Sequence, residues 1–452
     1  MKHLVLINPV GRRSGYMLSR ISCFPPLGLA YVAAVTPGDW DVRILDENFD
    51  TWNHEEADLV GITAFTSNVG RAYEIADAYR CRGIPVVMGG IHASMLPEEA
   101  LGHADAVVAG EVEGIWAKVL EDFQAGRMAG VYHGPQIDLE TSDIMPRRDL
   151  LHPGYFWQPV QTSRGCPFDC SFCSVSRYLG KRYRQRTATS VLKELETIAG
   201  KNILFLDDNL IGYSEEARTR ALAIFDGMIS RRMNKNWWMQ ASINVADDTL
   251  VLKRASESGC THIFIGFETT EEGSLVEMHK GINLKTGVNH YGEVVKRLHA
   301  ARIGVMGGFI IGNDHETDEY YRGLARFIIR AGIDMVQISI LTPLPGTALM
   351  DEVKAEGRLL YNDFPADWEK FRFSYLTHRP EGSSAKNIYI GNNYIKKHLY
   401  SFPNYQYRLL KSVFSLRRPL GVYLVYKLNQ ALKRSWLNSH YRRTYPDRLE
   451  EK

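Results

Sequence analysis

Three of the chain's six cysteines, Cys166, Cys170 and Cys173, crowd into eight positions with the spacing C-x3-C-x2-C. They follow an apolar, β-rich run, so a strand end would present them from one loop. Three thiolates with no nearby fourth ligand suit a 4Fe-4S cluster that keeps one iron open, because a structural zinc site takes four protein ligands. Zinc completed by a distant histidine or by Cys260 is the alternative chemistry. Further along, carboxylates, an amide and small residues fall at the ends of apolar runs: Asp207 and Asp208, Gln240, Glu268, and then Gly308, Ile310 and Gly312 ahead of Glu316. A carboxylate there can meet a cationic ligand, and glycine lets a ligand approach the backbone. Each is equally compatible with an ordinary strand end. Upstream, a second set of turns is rich in small residues: Thr63 to Ser67, Gly89-Gly90 and Gly110-Glu111.

Two alternations of strands and helices must position these residues. In the first, apolar runs at 4–8, 42–45, 59–63, 86–88 and 106–109 predict strands, and 27–35, 69–79, 97–101 and 111–123 predict helices. Five strands alternating with helices imply an α/β domain over 1–135, a doubly wound Rossmann-like parallel sheet. Its ligands would sit beyond the carboxyl ends of the strands, where the small-residue turns fall. A linker, 136–155, carries Pro146 and Pro153. Over 156–350 strands are expected at 160–163, 203–206, 237–241, 262–266, 304–311 and 335–340, with helices in the intervals. Six units fall short of a full eight-unit barrel and predict a partial, open (β/α)6 barrel with its site at the strand C-termini.

At 452 residues and 51.3 kDa, with 45% hydrophobic and 23% charged residues, the chain has the composition of folded multidomain proteins. A small disulfide scaffold and global disorder are excluded. The short apolar start does not make a signal peptide, and no run of about 18 to 20 apolar residues occurs, so a cytoplasmic location is expected. The net charge of +2 hides an asymmetry: 383–446 holds twelve Lys and Arg and no Asp or Glu. The region 351–452 is therefore expected to be a basic, mainly helical tail, broken at Pro403 and Pro419, in which aromatic residues intersperse with cations. It reads as a barrel cover with a solvated face or as a contact for an anionic membrane surface.

With Phe172 in its aromatic slot, the cysteine motif resembles the signature of the radical S-adenosylmethionine (SAM) superfamily. The resemblance implies that the open iron chelates SAM and that one electron cleaves SAM to a 5'-deoxyadenosyl radical, which abstracts hydrogen from an unactivated C–H. It implies SAM contacts at Phe172, Asp207, Asp208, Gln240, Glu268, Gly308, Ile310 and Gly312. Ahead of the barrel, Phe24 to Tyr31, Gly89 to His92 and Gly110-Glu111 resemble the first domain of cobalamin-binding radical SAM enzymes. Thr63, Ser67, Gly89, Gly90, Gly110 and Glu111 would by that likeness line a cobalamin. The D-x-H-x-x-G motif that supplies an axial histidine in some cobalamin proteins is absent, since Glu-Asn-Phe follows Asp46. The expected cobalamin is base-off with no histidine ligand, and His92 is expected as a polar contact or surface residue.

The function implied is a cobalamin-dependent C-methyltransferase acting on an unactivated carbon of a lipid or natural-product intermediate. A non-methylating radical enzyme for cyclisation, dehydration or rearrangement, with a structural first domain, is the alternative. Methylthiotransferases carry a second cluster on three cysteines of the first domain, where this chain has only Cys23 and Cys81. An RNA-binding or RNA-modifying reading lacks a recognised motif. A flavodoxin- or ferredoxin-type reductant is the implied protein partner.

Overall fold

The computed structural model describes residues 1–11 and 23–438. Strands β1 (Lys2–Asn8), β2 (Trp40–Asp46), β3 (Leu59–Thr63), β4 (Val86–Gly89), β5 (Ala106–Gly110) and β6 (Gly130–Gly134) form a parallel sheet in the order β2-β1-β3-β4-β5-β6. The order reverses at β1 and β3, so the crevice beyond Asn8 and Thr63 is where such a sheet takes a ligand. The sixth strand was not expected: its sequence, GVYHG, offers little apolar pattern between two glycines. The short helix Ile91–Met95, directly after Gly90, was also missed.

The second sheet is again six-stranded and parallel, in the order β14-β13-β12-β11-β10-β7. Its members are β7 (Gln158–Val160), β10 (Asn202–Phe205), β11 (Asn236–Ala241), β12 (Cys260–Glu268), β13 (Gly304–Ile311) and β14 (Met335–Ile340). Strands β7 and β14 are its free edges, which makes an open, partial barrel. The expected strand at 160–163 is divided: β7 ends at Val160, and β8 (Ser163–Arg164) pairs antiparallel with β9 (Arg184–Gln185). The outer helices begin and end where side chains satisfy their free backbone groups. Thr317 caps Asp318–Ala331 at its N-terminus and Gly332 closes it in the left-handed conformation; Asp248 and Gly259 do the same for Thr249–Ser258.

Among the described residues, three helices, Ala385–Leu399, Phe402–Leu416 and Pro419–Asn438, form the tail. Pro403 and Pro419 sit in first turns, where a missing N–H costs nothing, so they start helices rather than break them. Several tail cations bind the barrel. Buried Arg408 donates to the carbonyls of Ile333, Leu399 and Asp334, Lys411 to those of Arg330 and Ala331, and Arg418 to those of Ser256 and Cys260. These acceptors lie at helix C-termini and strand starts, so the tail closes the N-terminal end of the barrel. There Leu424, Val425 and Leu428 pack with Trp157, Leu204, Met306 and Met335. Arg442 and Arg443 lie outside the described residues. No helix among the described residues is long and apolar enough to cross a membrane.

Candidate active site between the two sheets

The three cysteines share one loop between β8 and the short helix Val175–Tyr178, each half-buried and none in a disulfide. The Cys166 N–H donates to Gly180 O, the Cys173 N–H donates to Cys170 O, and Tyr213 Oη lies 3.3 Å from Cys166 Sγ. Burial raises the Cys170 thiol and pushes that of Cys173 up to about 12; metal binding would displace these protons. Cys260 cannot complete a zinc site with them. It is fully buried at the start of β12, at the opposite end of the barrel, with its Sγ 3.6 Å from His262 O. Among the described residues no three His, Cys, Asp or Glu side chains converge as a single ion requires. A cubane, which spreads its thiolates over separate irons, fits this donor set.

Around the loop the structure gathers some of the expected SAM residues and not others. Glu268 ends β12 with a positive φ of 62°, and its carboxylate meets Lys280 Nζ at 2.6 Å. The Lys280 ammonium also stands 5.8 Å from the centre of the Phe172 ring. Burial would lower its pKa, but Glu268 and Cys170 outweigh burial and hold it above the usual range. Phe172 packs with Ile310, Leu341 and Leu349. Asp208 opens onto the space between the domains, and the surrounding protein, with Asp207 adding its charge, pushes its carboxyl up to about 6. Gln240 is half-buried on β11, with its backbone carbonyl accepting from Leu210 N–H.

Asp207 turns the other way. It is buried and accepts from Thr162 N–H and Oγ1 and from Ser163 Oγ, so it ties the turn before the cysteines and does not face a ligand. Gly308 makes room for Phe264, whose ring would lie 2.7 Å from an added Cβ. Gly312 packs against Ile340 and Leu376 and donates its N–H to Glu316. At Gly308 the space a side chain would take is filled by Phe264, and at Gly312 a φ of 88° calls for glycine.

One cavity of about 980 Å³ joins the domains, near the top of the range in which enzymes hold organic ligands, about 300 to 1,000 Å³. Its walls come from the strand ends of the first sheet, the helix Leu27–Ala34, the cluster loop at Ser174 and Val175, Asp208, and the edge strand β14. Thr63, Ser67, Gly89, Gly90, Gly110 and Glu111 all border it. The conformations of two of these have internal causes: an added Cβ would meet Thr63 Oγ1 at 2.6 Å from Gly90 and Gly134 O at 2.6 Å from Gly110. Glu111 is not free for cobalamin. It accepts from Ile137 N–H, Arg164 and Arg184, while Arg164 also reaches Glu113, so this buried cluster clamps the first domain to the β8–β9 hairpin beside the cysteines. His92 is not a surface residue: it is fully buried, with ring nitrogens 3.2 Å from Thr66 Oγ1 and 3.1 Å from Glu99 Oε1. No histidine among the described residues lines the cavity. The space and its strand-end walls therefore fit a base-off cobalamin.

Sequence reasoning missed Lys280, Tyr213 and the Arg164–Glu111–Arg184 cluster. The pairing of Arg164 with acids 51 and 53 residues away leaves no local trace, though an arginine just before the cysteine motif was visible.

Comparisons with known proteins bear on both halves. The B12 binding domain model matches residues 13–120, and the Radical SAM superfamily model matches 160–328. Bacteriochlorophyllide d C-12(1)-methyltransferase of Chlorobaculum tepidum is 30% identical over 410 residues, 87% of this chain and 86% of that relative. Hopanoid C-2 methylase of Rhodopseudomonas palustris is 28% identical over 357 residues, 75% of this chain and 66% of that relative. The fold is shared with the radical SAM methyltransferase TsrM from Kitasatospora setae, solved with cobalamin and a [4Fe-4S] cluster bound, at a TM-score of 0.71 and 17% identity over 97% of this chain and 100% of that one. With similarity of this extent running through both domains, the chain belongs to the cobalamin-binding radical SAM enzymes.

Proposed function

We propose that the enzyme is a cobalamin-dependent radical SAM C-methyltransferase acting on an unactivated carbon of a lipid or natural-product intermediate with a large apolar body. As a member of its family it uses a 4Fe-4S cluster, SAM and cobalamin, which when bound supply a 5'-deoxyadenosyl radical and a methyl group. The observation that carries the reading is the single cavity shared by the ends of the first sheet and the cluster loop. A substrate held there would lie between the strand ends of the first sheet and the Ser174–Val175 end of the cluster loop, with Asp208 on the same wall. We assign Cys166, Cys170 and Cys173 to the cluster, and Phe172, Asp208, Gln240, Glu268 and Ile310 to SAM. Thr63, Ser67 and Gly89 are assigned to cobalamin. Asp208 offers a carboxylate to the SAM ammonium, Lys280 orients Glu268, and the tail keeps water out of the barrel from below. The names of the two relatives, a bacteriochlorophyllide methyltransferase and a hopanoid methylase, support methyl transfer.

The test is anaerobic reconstitution with iron, sulfide and hydroxocobalamin, followed by incubation with trideuteromethyl-labelled SAM and metabolite extracts. Equal amounts of S-adenosylhomocysteine and 5'-deoxyadenosine, with a product carrying the label, are expected. Substrate-dependent 5'-deoxyadenosine without S-adenosylhomocysteine would overturn methyl transfer in favour of the non-methylating chemistry. We further read the enzyme as cytoplasmic, reduced by a flavodoxin- or ferredoxin-type carrier and in peripheral contact with an anionic membrane. Exposed Phe402, Leu410 and Phe414 beside Arg417 and Lys427 support the membrane contact.

A further inference from the structure

Most tail cations that touch the barrel are satisfied by backbone carbonyls, but Lys396 is an exception. It stands on the helix Ala385–Leu399 and lines the large cavity together with Ser374, Tyr400 and Ser435, beside Gln337 and Ser339 of β14. Among the described residues no carboxylate or carbonyl accepts from its ammonium. Burial acts on it unopposed and pushes its pKa down to about 8. Arg372, on the same stretch of wall, is taken up by Glu369. Lys396 is half-buried; a cation drawn partly out of water without a counterion is costly, and a ligand that brings the anion removes that cost. The place is also informative: Asp208 follows β10 and Lys396 lies beside β14, with three strands between them in the sheet order. The cavity thus borders the cluster loop on one side, and its lining on the β14 side includes Lys396 with Ser339, Ser374, Tyr400 and Ser435.

We propose that Lys396 is the subsite for an acidic group of the substrate, a carboxylate or phosphate, so that the substrate is an apolar body with an anionic end anchored beside β14. The proposal rests on the cavity being the substrate chamber, as argued above. It defines the chemical class of substrate: neutral lipids and fully esterified polycycles are poor ligands, and their free acids are good ones. The anion could also come from the nucleotide phosphate of cobalamin, and the test separates the two sources.

The experiment uses holoenzyme reconstituted with cluster and hydroxocobalamin, and equilibrium dialysis with 1-pyrenebutyrate and its neutral counterpart 1-pyrenebutanol. Wild-type protein is expected to prefer the acid by about tenfold, as one charge-assisted contact gives. Lys396→Met should erase the preference while retaining cobalamin, and Lys397→Met, at the exposed neighbouring position, should keep it. Equal binding of the two compounds by wild-type protein, an undiminished preference in K396M, or loss of cobalamin from K396M overturns the proposal. Should K396M fail to fold, acetylation of wild-type holoenzyme read by mass spectrometry decides instead: the acid must protect Lys396 and the alcohol must not. Formation of S-adenosylhomocysteine by the same wild-type preparation is scored separately, so failure of the methyltransferase reading is distinguishable from failure of the subsite.

Discussion

At the scale of single residues, the cysteines were legible because metal chemistry constrains spacing itself, whereas the carboxylates were not. Asp207 and Asp208 are adjacent at a strand end, where successive side chains point to opposite sides; one is consumed by Thr162 and Ser163, the other faces the cavity. Sequence alone offers no means of choosing between them. Lys280 escaped notice because its partner Glu268 is twelve positions away. Two expectations follow at this scale. Replacing any of Cys166, Cys170 or Cys173 by Ala should remove the broad absorption near ~400 nm of an iron-sulfur chromophore and end reductive SAM cleavage, while Cys260→Ser should leave the chromophore in place. Production of 5'-deoxyadenosine by the triple variant with dithionite would refute the assignment. Asp208→Asn and Glu268→Gln should each weaken SAM binding about tenfold, the loss of one charge-assisted hydrogen bond, with the chromophore intact. Asp207→Asn should instead lower thermal stability, because it leaves the Thr162 and Ser163 donors poorly matched.

At the scale of elements, long periodic segments were readable and short ones were not: 304–311 and 335–340 were expected as strands and are strands, while β6 and Ile91–Met95 carry too little apolar pattern to be seen. The hairpin β8–β9 was invisible for another reason. Its two-residue strands are held less by their own ladder than by Arg164 and Arg184 reaching into the first domain. Burial would raise the Glu111 carboxyl, but the Arg184 hydrogen bonds and the Arg164 charge outweigh it and hold it below the usual carboxylate range. Glu111→Gln leaves two buried guanidiniums short of charge and should cost about 3 to 5 kcal/mol in denaturant unfolding. The pH sign follows from the same depression. The stabilisation is fully present above the unfolded carboxyl's pKa of about 4.3 and is lost as pH falls through the lower folded value. Wild-type protein should therefore lose stability more steeply than the variant below about pH 4; parallel curves would show that Glu111 contributes nothing.

At the scale of the whole molecule, the strand ends of the first sheet, the turn after β10 and the edge strand β14 border one cavity, and a helical tail both closes the far end of the barrel and lends Lys396, Tyr400 and Ser435 to the cavity wall. Both sheets were legible as classes, because alternating strands and helices leave few topologies, and a barrel cover was one of the two readings of the tail; its cations could not decide between them, because a run of cations looks the same whether it meets lipid or caps buried carbonyls. The shared cavity can be tested without disturbing its walls. Gly90→Leu would be a poor test, since its side chain must displace Thr63 Oγ1 and the Ala64 backbone before it meets any ligand. Gly28 is the better position. It lies in the first turn of Leu27–Ala34, borders the cavity, and an added Cβ there meets nothing within 4 Å. Leucine favours a helix over glycine by roughly 1 kcal/mol, so Gly28→Leu should hold or raise the thermal midpoint while filling space beside the strand ends. The expected outcome is loss of retained cobalamin after anaerobic reconstitution, with the iron-sulfur absorption and the fold unchanged. His92→Ala should leave the base-off spectrum as it is, because that ring is already engaged by Thr66 and Glu99 inside the domain. Full cobalamin retention by Gly28→Leu would show that the corrin does not occupy the cavity wall formed by this helix, and methyl transfer would then need another route between the two domains.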